Sequence, residues 1–147
     1  MSSPEGRVVV RGTGSGFVQE IVAGGHPLMS DEPVTSGGAD TGPTPYDLLL
    51  AALGSCASMT AALYARRKGW PLESVTVRLA HSRVHAEDCA NCETKEGMLD
   101  RIDLVVELDG PLTPEQRARL LEITEKCPVH KTLQSEIQIV SRLGDGA

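Results

Sequence analysis

The chain has 147 residues and a net charge of −6. A chain of that length fits one domain and buries roughly 70% of the surface its unfolded form exposes, so it needs no staples to fold. Its acidity, an aromatic content of 3% and the lack of any basic run longer than Arg66-Arg67-Lys68 argue against nucleic acid and anionic membrane as partners.

Residues 1–6 are short and polar, with no apolar core of a signal peptide, so the cytoplasm is the expected compartment. Thiols stay reduced there. The four cysteines therefore point to redox or metal chemistry before structural disulfides.

Residues 8–11 form a first short β run. Gly12, Gly14 and Gly16 mark a turn, and residues 17–22 read as a second strand. Gly24-Gly25 opens another turn before a short third strand at 26–29. Residues 36–45 form a Gly/Pro-rich loop.

A long helix follows over Pro45–Lys68. Thr44 is its N-cap, Pro45 fits the first helical position, and Asp47 stands at N3 near the positive end of the dipole. Arg66, Arg67 and Lys68 make a basic last turn, and Gly69 and Pro71 stop the helix. The segment LLLAALGSCASMTAALYA carries no charge and is long enough to raise a transmembrane reading. Its apolar content is mostly alanine, and Gly54, Ser55, Ser58 and Thr60 interrupt it. It reads instead as the buried centre of a soluble fold.

Residues 75–85 alternate as a strand, with Val75, Val77, Leu79 and His81 on one face. A polar loop at 88–97 holds Cys89 and Cys92. A further strand at 101–108 turns Ile102, Leu104, Val106 and Leu108 inward. The second helix has Thr113 as N-cap, Pro114 at N1 and Gln116 at N3 completing a capping box, and runs to about Cys127, where Pro128 disturbs it. A last strand is expected at 133–140, with Leu133, Ile137 and Ile139 in the core. The order of elements makes the chain α+β rather than regularly alternating α/β.

In the first helix Leu49, Ala52, Leu53, Cys56, Met59, Thr60 and Leu63 fall at helical spacing, which puts Cys56 on a core face. Leu120, Ile123, Thr124 and Cys127 do the same in the second helix. Small neighbours (Ala51, Ala52, Ser55, Ser58) let another backbone approach the first helix closely. Close-packed helices can bring two cysteine Cα atoms within the roughly 7 Å that a disulfide needs. Periodicity leaves two readings open: buried free cysteines acting as small hydrophobes, or a reactive pair, which requires a nearby positive charge or donor.

The stretches GGADTGPTPYDLLLAALGSCASMTAALYARRKGWPLE and CPVHKTLQSEI resemble the OsmC/Ohr family of thiol-dependent peroxidases, and HAEDCANCE resembles the insert of one branch of it. The resemblance spans about residues 8–143. It implies an intertwined homodimer with central cysteine-bearing helices packed between sheets. It also implies reduction of organic hydroperoxides, and less efficiently of hydrogen peroxide, in oxidative stress defence. Cys56 matches the peroxidatic position and Cys127 the resolving one, and a small dithiol or a lipoyl-bearing protein restores the dithiol. No bound cofactor is implied. An apolar sheath suits such a site, because it admits a hydrophobic peroxide and keeps the resolving thiol close enough to capture the sulfenic acid. The resemblance also implies an arginine holding the thiolate, for which Arg11 is the candidate. The family's orienting glutamate is replaced by Tyr46 here, and Asp47, next along, either substitutes for it or serves only as a cap. The rival is a non-catalytic dimeric binding protein of the same fold.

His81, His85, Cys89 and Cys92 lie within a dozen residues and form a possible Zn²⁺ ligand set. A single Cys-x-x-Cys also fits an auxiliary redox pair, or a surface thiol pair with no chemistry. Cys127-Pro-Val-His130 lacks the oxyanion and orienting motifs a Cys-His hydrolase needs.

Overall fold

The structure is a computed structural model and describes residues 7–144, so the polar stretch at 1–6 lies outside the described residues. The chain groups into two compact units, Met1–Ala51 and Ala52–Ala147, and the boundary falls inside the long helix.

The first unit holds a three-stranded antiparallel meander, β1 (Val8–Gly12), β2 (Gln19–Ala23) and β3 (His26–Ser30), in the order β1-β2-β3. Gly24 and Gly25 make the β2–β3 turn with φ of 56° and 85°. Positive φ at both turn positions matches the twist of a two-residue hairpin and favours glycine. The second strand begins at Gln19, two residues later than expected, because Phe17 and Val18 lie outside the ladder.

Asp31, directly after β3, is 1% exposed and organises the glycine-rich loop. Its carboxylate accepts from the backbone N–H of Glu32 at 2.8 Å, of Ala39 at 3.1 Å and of Thr41 at 3.0 Å, and from the Thr41 hydroxyl at 2.8 Å. Gly38 is required where the loop folds back, since a Cβ there would collide with the Glu32 carbonyl. The hydrogen bonds from Thr41 lead in holding the Asp31 carboxyl below its usual 3.8. A depressed folded value adds stability above the unfolded value, and that stability is lost as the pH falls through the folded one. Asp31→Asn is therefore expected to melt lower than wild type at neutral pH, with the gap narrowing as the pH drops below 3.8. Thermal melts across pH check this, and a gap that does not change with pH would refute it.

Helix α1 spans Pro45–Lys68, as its punctuation predicts. The Asp47 N–H donates to Thr44 Oγ1 at 3.1 Å, and the Thr44 N–H donates to Asp47 Oδ2 at 3.0 Å. At the far end Gly69 has φ 70°, its N–H donates to the Arg66 carbonyl, and the Trp70 N–H reaches the Ala65 carbonyl. That is the Schellman pattern, which satisfies carbonyls a helix end would otherwise orphan.

In the second unit β4 (Ser74–His85) and β5 (Met98–Asp109) form a long antiparallel hairpin, in register from Ser74↔Asp109 to His85↔Met98. β5 starts three residues before the expected point. The alternating burial of Val75, Val77, Leu79 and His81, and of Ile102, Leu104, Val106 and Leu108, is as expected. Helix α2 (Pro114–Thr124) opens with the expected capping box: the Gln116 N–H donates to Thr113 Oγ1 and the Thr113 N–H donates to Gln116 Oε1.

Three expectations need correction. First, α2 ends at Thr124, and Cys127 is the N-cap of a separate short helix, α3 (Pro128–Leu133). A residue before proline is pushed out of the helical region, and Cys127 has φ −67° and ψ 148°. Second, the strand expected at 133–140 is absent. Leu133 ends α3, and Ile137, Ile139, Val140 and Leu143 lie exposed outside any helix or strand. The alternation is there, but no strand among the described residues pairs with it.

Third, the buried stripe of α1 is not the one that spacing suggested. It comprises Leu53, Gly54, Ala57, Ala61 and Ala65, while Leu49, Met59 and Leu63 are exposed. The helix lies so close to the hairpin that a Cβ on Gly54 would come within 2.7 Å of Leu79 Cδ1. Only small side chains fit that contact. Two clusters result. Ala61, Ala65, Leu112 and Leu120 pack with Tyr64, Trp70, Leu72, Val75 and Leu108. Leu53, Ala57 and Cys127 pack with Cys56, Leu79, Ile102, Leu104, Val129 and Leu133.

Candidate active site

Cys56 sits at the edge of the buried stripe of α1, partly exposed, and Cys127 is completely buried; both are free thiols. Helix–hairpin packing fixes Cys56, because its neighbours Leu53 and Ala57 are in the core. The proline-driven break between α2 and α3 fixes Cys127. Its sulfur accepts the His130 N–H at 3.3 Å, so the thiol itself caps α3.

Cys56 packs against the buried cluster that holds Cys127. Burial is the main cause that pushes the Cys127 thiol above its usual 9.0, and a hydrogen bond with the Cys56 side chain and the charge of Cys56 push the same way. The backbone N–H groups of His130 and Val129 pull it down and lose to burial. Cys127 is therefore held as a neutral thiol, packed among Leu, Ile, Val and Ala side chains. Cys127 is a cap residue and not, as its spacing with Leu120, Ile123 and Thr124 suggests, part of a helix face.

Asp47 and Arg11 belong to the first unit. Asp47 acts as a cap, with its carboxylate on the Thr44 N–H. Arg11 is exposed on β1, opposite Glu20 in the ladder.

The second candidate set is not gathered around one point. Cys89 and Cys92 are bonded to each other in a disulfide, against the expectation of reduced thiols. His81 Nε2 lies 2.8 Å from Asp100 Oδ1. His85 is exposed at the end of β4. Among the described residues no group of three or more His, Cys, Asp and Glu side chains is placed to hold a metal ion.

Sequence reading missed a polar cluster beside the other core. Arg119 donates to the Tyr64 hydroxyl at 3.2 Å and to Glu122 at 2.9 Å, and Trp70 packs edge-on against Tyr64. The hydrogen bond from Arg119 lowers the Tyr64 phenol from its usual 10.0.

Residues 37–142 match the sequence model of a family described as OsmC-like protein. The chain belongs to the OsmC-like family. Solved OsmC-like structures share its fold. An OsmC-like protein from Mycoplasma pneumoniae is 22% identical with a TM-score of 0.67, over 86% of this chain and 85% of that one. The organic hydroperoxide resistance protein OhrB of Bacillus subtilis is 20% identical with a TM-score of 0.59, over 86% and 88%. An organic hydroperoxide resistance protein OsmC from Legionella pneumophila is 21% identical with a TM-score of 0.61, over 86% and 87%. At these identities the likeness is one of fold. A sequence comparison with curated proteins finds no match.

Proposed function

We propose that the protein is a cysteine-based peroxidase that reduces organic hydroperoxides, and hydrogen peroxide less efficiently, in oxidative stress defence. The observation that carries this reading is the packing of a partly exposed Cys56 against the apolar cluster that holds a fully buried, neutral Cys127. The names of the Bacillus subtilis and Legionella pneumophila proteins of the same fold support it.

In this mechanism the Cys56 thiolate attacks one peroxide oxygen. The O–O bond breaks, the alcohol leaves with a proton, and Cys56 becomes a sulfenic acid. Cys127 gives up its proton and attacks the Cys56 sulfur, water leaves, and a disulfide forms. An external dithiol, free or lipoyl-bound, reduces that disulfide and is itself oxidised. Burial suits Cys127 to this second role, because a neutral, shielded thiol neither competes for peroxide nor over-oxidises. The thiolate and the departing alkoxide both favour a nearby cation. No tightly bound cofactor takes part.

The same reading makes the protein a cytoplasmic homodimer. Helix α1 is long and apolar enough to cross a membrane. Its alanine stripe is nevertheless spent on the hairpin, and a second copy is the natural cover for its other side. The test is hydroperoxide consumption with dihydrolipoamide as reductant. Turnover with loss of the Cys56 and Cys127 thiols supports the reading. Absence of both leaves a non-catalytic binding protein.

A further inference from the structure

The disulfide between Cys89 and Cys92 lies in the loop that joins β4 to β5. The hairpin is already in register down to His85↔Met98, and the Ala86 N–H donates to the Gly97 carbonyl at 2.8 Å. Both cysteines lie beyond that closure. Their bond joins residues three apart and ties no strand to another. A loop so short constrains the unfolded chain least, so a structural purpose explains the bond poorly.

The pair is also far from the central thiols. The Cys127 cluster reaches along the hairpin as far as Ile102, opposite His81, and His85 at the loop end lies four residues further along the strand. At about 3.3 Å per residue, that is about 13 Å, and the pair lies beyond that point in the loop.

What the loop offers is access. Cys89 and Cys92 are partly exposed. An open recess of about 180 Å³ at the base of the loop is lined by His85, Glu87, Lys95, Glu96 and Gly97. Glu87, Asp88, Glu93 and Glu96 surround the pair in sequence, with Lys95 as the only Lys or Arg in residues 86–97. An attacking thiolate that carries a further negative charge meets a stronger repulsion there than one on an otherwise neutral molecule.

We propose that Cys89–Cys92 is a second two-electron redox site, independent of Cys56 and Cys127, that exchanges with neutral dithiols. A thiolate of the dithiol attacks one sulfur of the pair, the Cys89–Cys92 bond breaks, and the displaced sulfur takes a proton. The second thiol of the reagent closes its own disulfide and releases the other cysteine. The protein gains two electrons and two protons, and the dithiol is oxidised.

The experiment uses the full chain carrying Cys56→Ser and Cys127→Ser, so it stands apart from the peroxidase reading. Folded protein is mixed with dihydrolipoamide or with dihydrolipoate, which differ in one negative charge, and free thiols on the protein are followed with time by alkylation and mass spectrometry. Two thiols should appear without unfolding and disappear when oxidised lipoamide is added. Dihydrolipoamide should react a few-fold faster than dihydrolipoate at low salt, and the ratio should shrink towards one at high salt. A bond that is reduced only in denaturant would overturn the proposal. So would two free thiols holding zinc in the protein as purified, or equal rates for the two reagents at low salt. Conversely, Cys89→Ser with Cys92→Ser should leave the Cys56–Cys127 disulfide forming as in wild type.

Discussion

Cys56→Ser is expected to abolish both peroxide turnover and the first oxidation, whereas Cys127→Ser is expected to reduce about one equivalent of peroxide and then stall with a sulfenic acid on Cys56. The asymmetry follows from exposure. Only Cys56 is open to solvent, so only it meets peroxide, while Cys127 is fully buried and kept neutral. A serine hydroxyl at position 56 is no substitute for a thiolate, and the loss of rate should be about 10⁴-fold or more, as for other nucleophile removals. Excess peroxide should drive the stalled Cys127→Ser variant on to irreversible sulfinic acid, whereas wild type should form a Cys56–Cys127 disulfide that dithiol reverses. Serine is nearly isosteric with cysteine, so neither variant should unfold. Mass spectrometry of peroxide-treated protein reads each state. First oxidation retained in Cys56→Ser and lost in Cys127→Ser would reverse the roles. Reduced thiols throughout would end the peroxidase reading.

Most of the architecture around this pair could be read from local chemistry. The ends of α1 were legible because Thr44, Pro45, Asp47 and Gly69 act on their own backbone neighbours, and the structure shows the cap bonds they imply. The hairpin was legible because alternation over 75–85 and 101–108 is enforced by one buried face. The face of α1 was not legible, since a helix apolar on nearly all sides carries no phase. The deciding fact, the close approach of Gly54 to Leu79, is a tertiary one. The strand expected at 133–140 failed for a related reason. Alternation marks a segment fit to pair but does not supply the neighbour, and Ile139, 83% exposed, has none here. Asp31 was missed because its partners are backbone N–H groups of a loop whose path no pattern reveals. The one available signal was an acid placed just ahead of a glycine-rich stretch.

Met59→Glu is expected to turn a dimer into a monomer. Met59 is 71% exposed on α1, Leu63 is exposed one turn along from it, and the alanine stripe of the same helix already faces the hairpin. Elsewhere, residues 8–10 of β1 are an exposed run of valines, and Ile137, Ile139, Val140 and Leu143 form an exposed, alternating tail. A single chain therefore leaves both a helix face and a strand-like segment uncovered, more apolar surface than a lone soluble domain tolerates. A second copy fits, because a two-fold interface lets the same surface cover itself. Burying a methionine contributes about 2 kcal/mol, and a symmetric interface counts it twice. A loss of about 4 kcal/mol weakens association about a thousandfold, before the cost of burying two carboxylates is added. Wild type should sediment at twice the mass of the chain at micromolar concentration, and Met59→Glu at the single-chain mass with unchanged far-ultraviolet circular dichroism. A wild-type monomer, or wild type that partitions into neutral lipid vesicles through α1, would show that this face has another purpose.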